Sequence, residues 1–159
     1  AMAQGTFTLF NKFKEDMAEK VHNLETDSLK LAFTTLQAGG TPTLAATTSD
    51  PRWGAGGGTN LSSSEVSGTN YTAGGNATAN NSVTESSGTV TFDADNPATW
   101  TQHASGPATI KTGVLYNDTA SGKQAIGFID MTGDGTSAIS LVDGDITVAF
   151  NASGIFTLA

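Results

Sequence analysis

Apolar residues near the start of the chain recur every three or four positions, which is the spacing of one helix face. Across residues 9–24 they form one stripe while charged residues fill the other positions, so the pattern predicts an amphipathic helix. The stripe consists of Phe10, Phe13, Met17, Val21 and Leu24. It can pack on the sheets of its own chain or on a neighbouring subunit. We expect packing within the chain, with Phe13 and Met17 the most buried.

The pattern changes to a period of two after the helix. Residues 28–36 alternate large apolar side chains with small or polar ones, which predicts a half-buried strand. Later strands are predicted around residues 89–93, at 110–116 and 125–131 as a hairpin, at 146–151, and at 155–158. The last strand runs almost to residue 159, so we expect the C-terminus to be tied into a sheet.

Residues 37–82 interrupt this alternation. Apolar residues are sparse there, and glycines separate runs of Thr, Ser and Asn, which predicts a long loop region. Its bulky residues are Leu44, Trp53, Leu61, Val66 and Tyr71. We expect too few anchors to order this segment without a partner subunit. Trp53 has two interpretations: it closes the chain's own core, or it contacts another subunit, since Trp is enriched at interface anchors.

These elements predict a mainly β chain with a single domain over residues 1–159. The domain is expected to be one antiparallel β-sandwich, immunoglobulin-like or jelly-roll-like, with one N-terminal amphipathic α-helix. The N-terminal arm and helix occupy about residues 3–24, and the Gly/Thr/Ser-rich loop region about residues 37–82.

Charge and cysteine content narrow the possible functions. The net charge is −8 and there are only seven basic residues, which argues against nucleic acid as a partner. The absence of cysteine excludes disulfides and thiol chemistry. No apolar run approaches the roughly 20 residues of a membrane-spanning helix, so no membrane association is predicted.

The inventory of catalytic groups is small. The two histidines are His22, at the end of the predicted helix where a cation suits the helix dipole, and His103. No serine lies in a Gly-x-Ser-x-Gly elbow, and the glycines of residues 54–58 lack the following lysine of a phosphate-binding loop. We therefore expect no enzyme activity and no cofactor.

Four aspartates give a weak indication of a metal. Asp130, Asp134, Asp143 and Asp145 lie in two Gly-containing turns, and calcium binds carboxylate and carbonyl oxygens. Their spacing is not that of the helix–loop–helix calcium site. Asp and Gly are also the ordinary residues of tight turns, and we expect turn chemistry here.

Several short motifs resemble a known family. They are Glu-Val-Ser-Gly at 65–68, Tyr-Thr-Ala-Gly-Gly at 71–75, Thr-Val-Thr-Phe-Asp-Ala-Asp at 89–95, and the segments 114–119 and 150–157. Over residues 10–158 the chain resembles small virion structural proteins of tailed bacteriophages. The resemblance implies a virion component, first a capsid decoration or cement protein, with a tail-associated or adhesion module binding a fibre or carbohydrate as the alternative. It also implies the major capsid protein or other virion proteins as partners, and a homotrimer.

Two parts of the chain are candidates for partner contacts. The first is the segment around residues 50–58, with Asp50, Arg52 and Trp53, and the second is the N-terminal arm with Phe7 and Phe10. Tyr71 is a further candidate. If Tyr71, Trp53 and Trp100 were exposed on one face, carbohydrate binding would be favoured.

Overall fold

Two antiparallel sheets form a β-sandwich in the computed structural model, which describes residues 5–39 and 43–159. The larger sheet has five strands, in the order β1, β11, β10, β2, β7, and the smaller has three, in the order β12, β9, β8. The strands are β1 Phe7–Leu9, β2 Leu29–Thr34, β3 Gln37–Ala38, β4 Thr43–Leu44, β5 Pro51–Arg52, β6 Thr59–Asn60, β7 Asn76–Ala77, β8 Ala79–Ser86, β9 Thr89–Asp95, β10 Thr112–Asn117, β11 Ala125–Asp130 and β12 Phe156–Leu158. One α-helix, α1, spans Asn11–Ala18, and a 3₁₀ turn spans Leu61–Ser64. The predicted fold class is confirmed.

The centre of the core is the β10–β11 hairpin. All six residues of β10 are buried, and Val114 lies between Phe128 on β11 and Ala32 on β2. The predicted hairpin is therefore confirmed, as is the anchoring of the C-terminus, since β12 pairs with β9 through Phe156 and Phe92.

Strand β2 is buried more completely than its alternation predicts. Besides the large apolar residues, Ala32 and Thr34 are also fully buried, so the expectation of a half-buried strand is wrong. These two positions can be buried because Ala32 is small and the hydroxyl of Thr34 has a hydrogen-bond partner. The hydroxyls of Thr34 and Thr112 lie 2.6 Å apart across the β2–β10 pair. A buried hydroxyl with a partner avoids most of the cost of desolvation.

The helix is shorter than the predicted span of residues 9–24. Leu9 belongs to β1, where it pairs with Gly127, and Phe10 is extended with ψ 142°. At the other end Lys20 adopts a left-handed conformation, φ 62°. Its amide donates to the carbonyl of Met17 and the amide of Val21 to that of Asp16, which is the Schellman pattern that ends helices.

The apolar stripe nevertheless packs within its own chain. Phe10 and Phe13 are fully buried and Leu24 is nearly so, which confirms intrachain packing. Phe13 makes an edge-on contact with Phe156, with ring centroids 5.3 Å apart. Met17 is only partly buried, so the expectation that it would be among the most buried is wrong.

Residues 146–151 alternate in burial but do not form the predicted strand. Ile146 and Val148 are fully buried while Thr147 is exposed. The only ladder contact of this stretch within the described residues is the bridge between Ile146 and Trp100. Burial of alternate side chains therefore occurs here without strand pairing.

The long segment at 37–82 is ordered by its own anchors. Five two-residue strands, the start of β8 and the 3₁₀ turn divide it, and its five bulky residues are all buried in the hydrophobic core. These residues are Leu44, Trp53, Leu61, Val66 and Tyr71. The expectation that this segment needs a partner subunit for order is wrong for the residues described.

Candidate functional site

Trp53 lies inside the protein. Its side chain is 6% exposed and stacks on Tyr116, with ring centroids 5.0 Å apart and an interplanar angle of 11°. Its backbone amide donates to the carbonyl of Lys123 in the turn of the β10–β11 hairpin. The own-core interpretation of Trp53 is confirmed, and in this conformation its ring presents no surface to a partner.

Asp50 and Arg52 form an ion pair on the same segment. Two nitrogens of the guanidinium approach the two carboxylate oxygens, at 3.3 Å for Nε to Oδ1 and 3.2 Å for Nη2 to Oδ2. Both side chains remain partly exposed. They are therefore accessible to a partner but already compensate each other's charge, and the most exposed part of this segment is the glycine-rich stretch at 55–58.

The two aromatic candidates of the N-terminal arm differ in exposure. Phe10 is fully buried against Phe128, so it is unavailable to a partner. Phe7 is partly exposed and stacks on Phe156, with centroids 5.9 Å apart. It borders a cavity of about 380 Å³ between β1 and the turn before β12. Residues 3 and 4 of the predicted arm lie outside the described residues.

Tyr71 is the centre of a hydrogen-bonded cluster that joins the loop region to β2. We call this cluster, formed by Glu65, Tyr71, Gly74 and Tyr116, the clamp. Its hydroxyl donates to Oε1 of Glu65 at 2.9 Å and accepts from the amide of Phe33 on β2 at 3.0 Å. The same Glu65 oxygen accepts from the amide of Gly74 at 2.6 Å, and the carbonyl of Gly74 accepts from the hydroxyl of Tyr116 at 2.7 Å. Burial raises the pKa of Tyr71 well above its usual value, so the phenol stays neutral. These bonds give Tyr71 a role in holding the fold.

The four aspartates do not converge. No group of three or more His, Cys, Asp or Glu side chains able to hold a metal occurs among residues 5–39 and 43–159. Asp130 accepts from the amide and hydroxyl of Thr132. Asp134 accepts from residues 136 and 137, and hydrogen bonds led by that from Ser137 lower the pKa of its carboxyl. The contacts of Asp130 and Asp134 are therefore those of local turns.

Asp145 likewise has a local partner, since its carboxylate accepts from the amide of Gln102 at 2.7 Å. Asp143 lies in an exposed turn. The turn interpretation of these aspartates accounts for their contacts.

Sequence patterns did not predict a buried polar cluster behind the helix. His22, Asp16 and Asn117 are all nearly inaccessible to solvent. The Asn117 amide donates to Nδ1 of His22 at 3.0 Å and to Asp27 at 2.6 Å, while Nε2 of His22 lies 4.0 Å from Asp16. Burial lowers the pKa of His22 to about 4, opposed in part by Asp27. His22 is therefore neutral near pH 7, and the expectation of a cation beside the helix dipole is wrong.

An apolar groove opens between the chain that follows α1 and the inner face of the smaller sheet. It encloses about 530 Å³. Its lining residues are Met17, Lys20, His22, Asn23, Leu24, Glu25, Val83, Val90, Phe92, Phe156 and Leu158. Val83, Val90 and Leu158 are only partly buried, whereas Phe92 and Phe156 are buried and Phe156 contacts Phe13 of the helix. The sequence signal for the groove is Val83 in an otherwise polar β8, together with the alternation of Val90 and Phe92 with polar residues on β9.

The aromatic platform considered for carbohydrate binding is absent from the described surface. Trp53, Tyr71 and Trp100 are 6%, 9% and 2% exposed. Trp100 packs on Phe33 with centroids 4.4 Å apart. None of the three rings is available to stack on a sugar in this conformation.

Comparison with known proteins finds no relative: no family model and no curated protein matches the sequence, and no solved structure matches the fold. Within residues 5–39 and 43–159, no helix has the length and apolar character needed to cross a membrane.

Proposed function

We propose that this protein is a structural component of a tailed-bacteriophage virion, a decoration or cement protein that binds the outer surface of the head. The observation that carries the proposal is the set of motifs that resemble such proteins. Segment 65–75 forms the clamp of Glu65 and Tyr71, segment 89–95 is β9, and segment 150–157 leads into β12. The resemblance therefore lies in residues that determine the fold.

The architecture suits a role in which the protein acts as a rigid block. The buried residues of both sheets and the helix form one cluster, and the Gly-rich loop at 55–58 and much of the β8–β9 hairpin are exposed. Copies that bind the assembled shell, and not its separated subunits, stabilise the shell by mass action. The major capsid protein is the proposed partner and the virion the proposed location.

A homotrimer is part of the proposal on the strength of the resemblance alone. The segment at 37–82 gives no support to a trimer, because its bulky residues, such as Trp53 and Tyr71, are buried in their own chain. Exposed aromatics would have favoured carbohydrate binding under the tail or adhesion alternative, but Trp53, Tyr71 and Trp100 are buried.

The proposal is tested by adding the purified protein to phage heads that lack it and separating bound from free protein by sedimentation. Saturable binding to heads, together with a higher temperature of head disruption, is expected. Heads of an unrelated phage are the matched control. Binding that does not saturate, or binding to isolated tails and not to heads, would overturn the proposal.

A further inference from the structure

We infer that the groove beneath the β8–β9 hairpin is a docking site for a segment of a partner protein that carries two aliphatic side chains close to a Lys or Arg. The inference deepens the proposed function and rests on it for the identity of the partner. It requires that the groove be apolar, open and unsuited to a second copy of this chain.

The apolar floor of the groove is a direct consequence of strand register. Phe156 pairs with Phe92 and Leu158 with Val90, while Val83 pairs with Phe92 from the other side, so all five side chains lie on one face of the smaller sheet. Side chains two residues apart on a strand are separated by about 7 Å. Val83, Val90 and Leu158 are the partly exposed positions of this face. They therefore leave space for two aliphatic side chains that are spaced like alternate residues of an extended segment.

The charges near Val83 and Val90 favour a basic segment as the occupant of the groove. Glu25 lines the groove, and Glu85 lies beside Val90 on the same face of the sheet. Each carboxylate accepts one backbone amide through Oε1, from Val83 at 3.2 Å and from Gly88 at 2.7 Å. Among the described residues neither is in an ion pair, so a Lys or Arg brought by the partner would meet two uncompensated carboxylates.

One cation, Lys20, lies on the helix side of the groove. It belongs to the same segment after α1 as Glu25 and lacks an ion pair among the described residues. The Glu25 carboxylate accepts from the amide of Val83 and Glu85 lies on β8, so a basic segment is directed toward β8, where both carboxylates lie.

The distribution of charge argues against a second copy as the occupant. The β8–β9 hairpin, residues 79–95, carries three acidic residues, Glu85, Asp93 and Asp95, and no basic one. Two copies meeting through their β8–β9 faces would bring like charges together, which opposes association. A partner with the opposite charge avoids this repulsion.

The first experiment uses an end-blocked peptide, Lys-Leu-Thr-Leu-Lys, titrated into isotopically labelled full-length protein and followed by NMR. We expect saturable shifts at Val83, Val90 and Leu158 with a Kd of about 1 mM, weakened at least threefold when ionic strength rises from about 0.05 to 0.5 M. Control peptides with both leucines replaced by serine, or both lysines by glutamate, are expected not to bind. Equal binding by either control peptide, or shifts elsewhere only, would overturn the inference.

The second experiment uses matched variants of the protein. Val83→Asp places a charge in the groove, whereas Thr84→Asp places the same charge on the opposite, exposed face of β8. Val83→Asp is expected to abolish peptide binding and to weaken binding to heads at least tenfold, and Thr84→Asp to change neither. If Val83→Asp fails to fold, Val90→Thr is the substitute, with a smaller loss expected.

The outcomes separate this inference from the proposed function. Wild-type binding to heads that Val83→Asp leaves unchanged overturns the docking site and retains the virion role. Loss of a self-associated species in Val83→Asp, with no peptide binding by the wild type, identifies a second copy as the occupant and overturns the inference. Peptide binding without any binding to heads supports the groove and overturns the virion role.

Discussion

The fold opposes the protonation of His22. Its Nδ1 accepts a hydrogen bond from Asn117, and an imidazolium would present a donor to that amide instead. Asp16 is buried beside it, and burial raises the pKa of its carboxyl, opposed by Lys12. These contacts therefore favour the neutral histidine, because protonation of His22 removes the hydrogen bond from Asn117 and places a charge in a buried site.

This arrangement predicts a loss of stability in mild acid. The pKa of His22 is about 4 in the fold against 6.5 in the unfolded chain, so the unfolded chain binds the proton more tightly. The free energy of unfolding should fall as pH drops from 6.5 toward 4, by about 3 kcal/mol in total. His22→Gln keeps an acceptor for Asn117 but does not titrate. Urea unfolding between pH 7.5 and 4.5 should give a flatter profile for the variant, and identical slopes would contradict the account.

Phe13 provides the residue-scale test of how the helix is buried. Because it is fully buried against Phe156 and His22, Phe13→Ala should lower the free energy of unfolding by about 3–5 kcal/mol. Met17→Ala, one turn later and only partly buried, is the matched control and should cost less. Thermal unfolding should give the same loss at every protein concentration. A loss that appears only in assembly would place the helix at an interface.

At the scale of elements, the end of α1 can be tested with two substitutions to glycine that should change the free energy of unfolding in opposite directions. Lys20 occupies the left-handed position of the Schellman motif, where a side chain is strained and glycine is not. Lys20→Gly should therefore stabilise the protein by about 0.5–1 kcal/mol. Lys14→Gly, in the exposed middle of the same helix, should destabilise it by about 1 kcal/mol. Chemical unfolding of both variants measures these changes. Changes in the same direction for the two variants would contradict this description of the helix end.

Gly75 gives a second test, in the clamp between the loop region and β2. Its φ is 76°, and a β-carbon there would overlap the carbonyl oxygen of Leu31. Gly88 has a similar φ of 85°, but its β-carbon would meet open space. Gly75→Ala should prevent folding or cost more than about 3 kcal/mol, whereas Gly88→Ala should cost about 1 kcal/mol. Circular dichroism and urea unfolding measure both, and similar losses would contradict the packing around Gly75.

The elements also explain which predictions succeeded. Strands that are rich in apolar residues and joined by a polar turn, such as β10 and β11, could be predicted because the local sequence and the tertiary pairing agree. The helix ends could not, because β1 takes Leu9 and a strained Lys20 stops the helix, and neither signal is the usual one. The alternation of residues 146–151 predicts a strand, but an alternating pattern does not specify a pairing partner. Ile146 and Val148 are buried, and the bridge to Trp100 is the only strand-like pairing of this stretch among the described residues.

The candidate site was harder to predict than the fold for a physical reason. Large aromatics such as Trp53 and Tyr71 are enriched both at interfaces and in cores, and only the three-dimensional structure places them in this core. The groove depends on how far α1 extends over Val90 and Leu158, which sequence periodicity does not specify. The His22 cluster joins residues that are distant in sequence, so no local pattern contains it.

At the scale of the whole molecule, the protein is a β-sandwich with a net charge of −8 and an apolar groove beneath the β8–β9 hairpin, and we propose that it is a component of a phage shell. The most direct measurement is cryo-electron microscopy of the particle whose genome encodes this chain. We predict density on the outer surface of the head that fits the five-stranded and three-stranded sheets, with the β8–β9 hairpin facing a neighbouring protein. Density of this shape confined to the tail, or purified particles without the protein, would contradict the account.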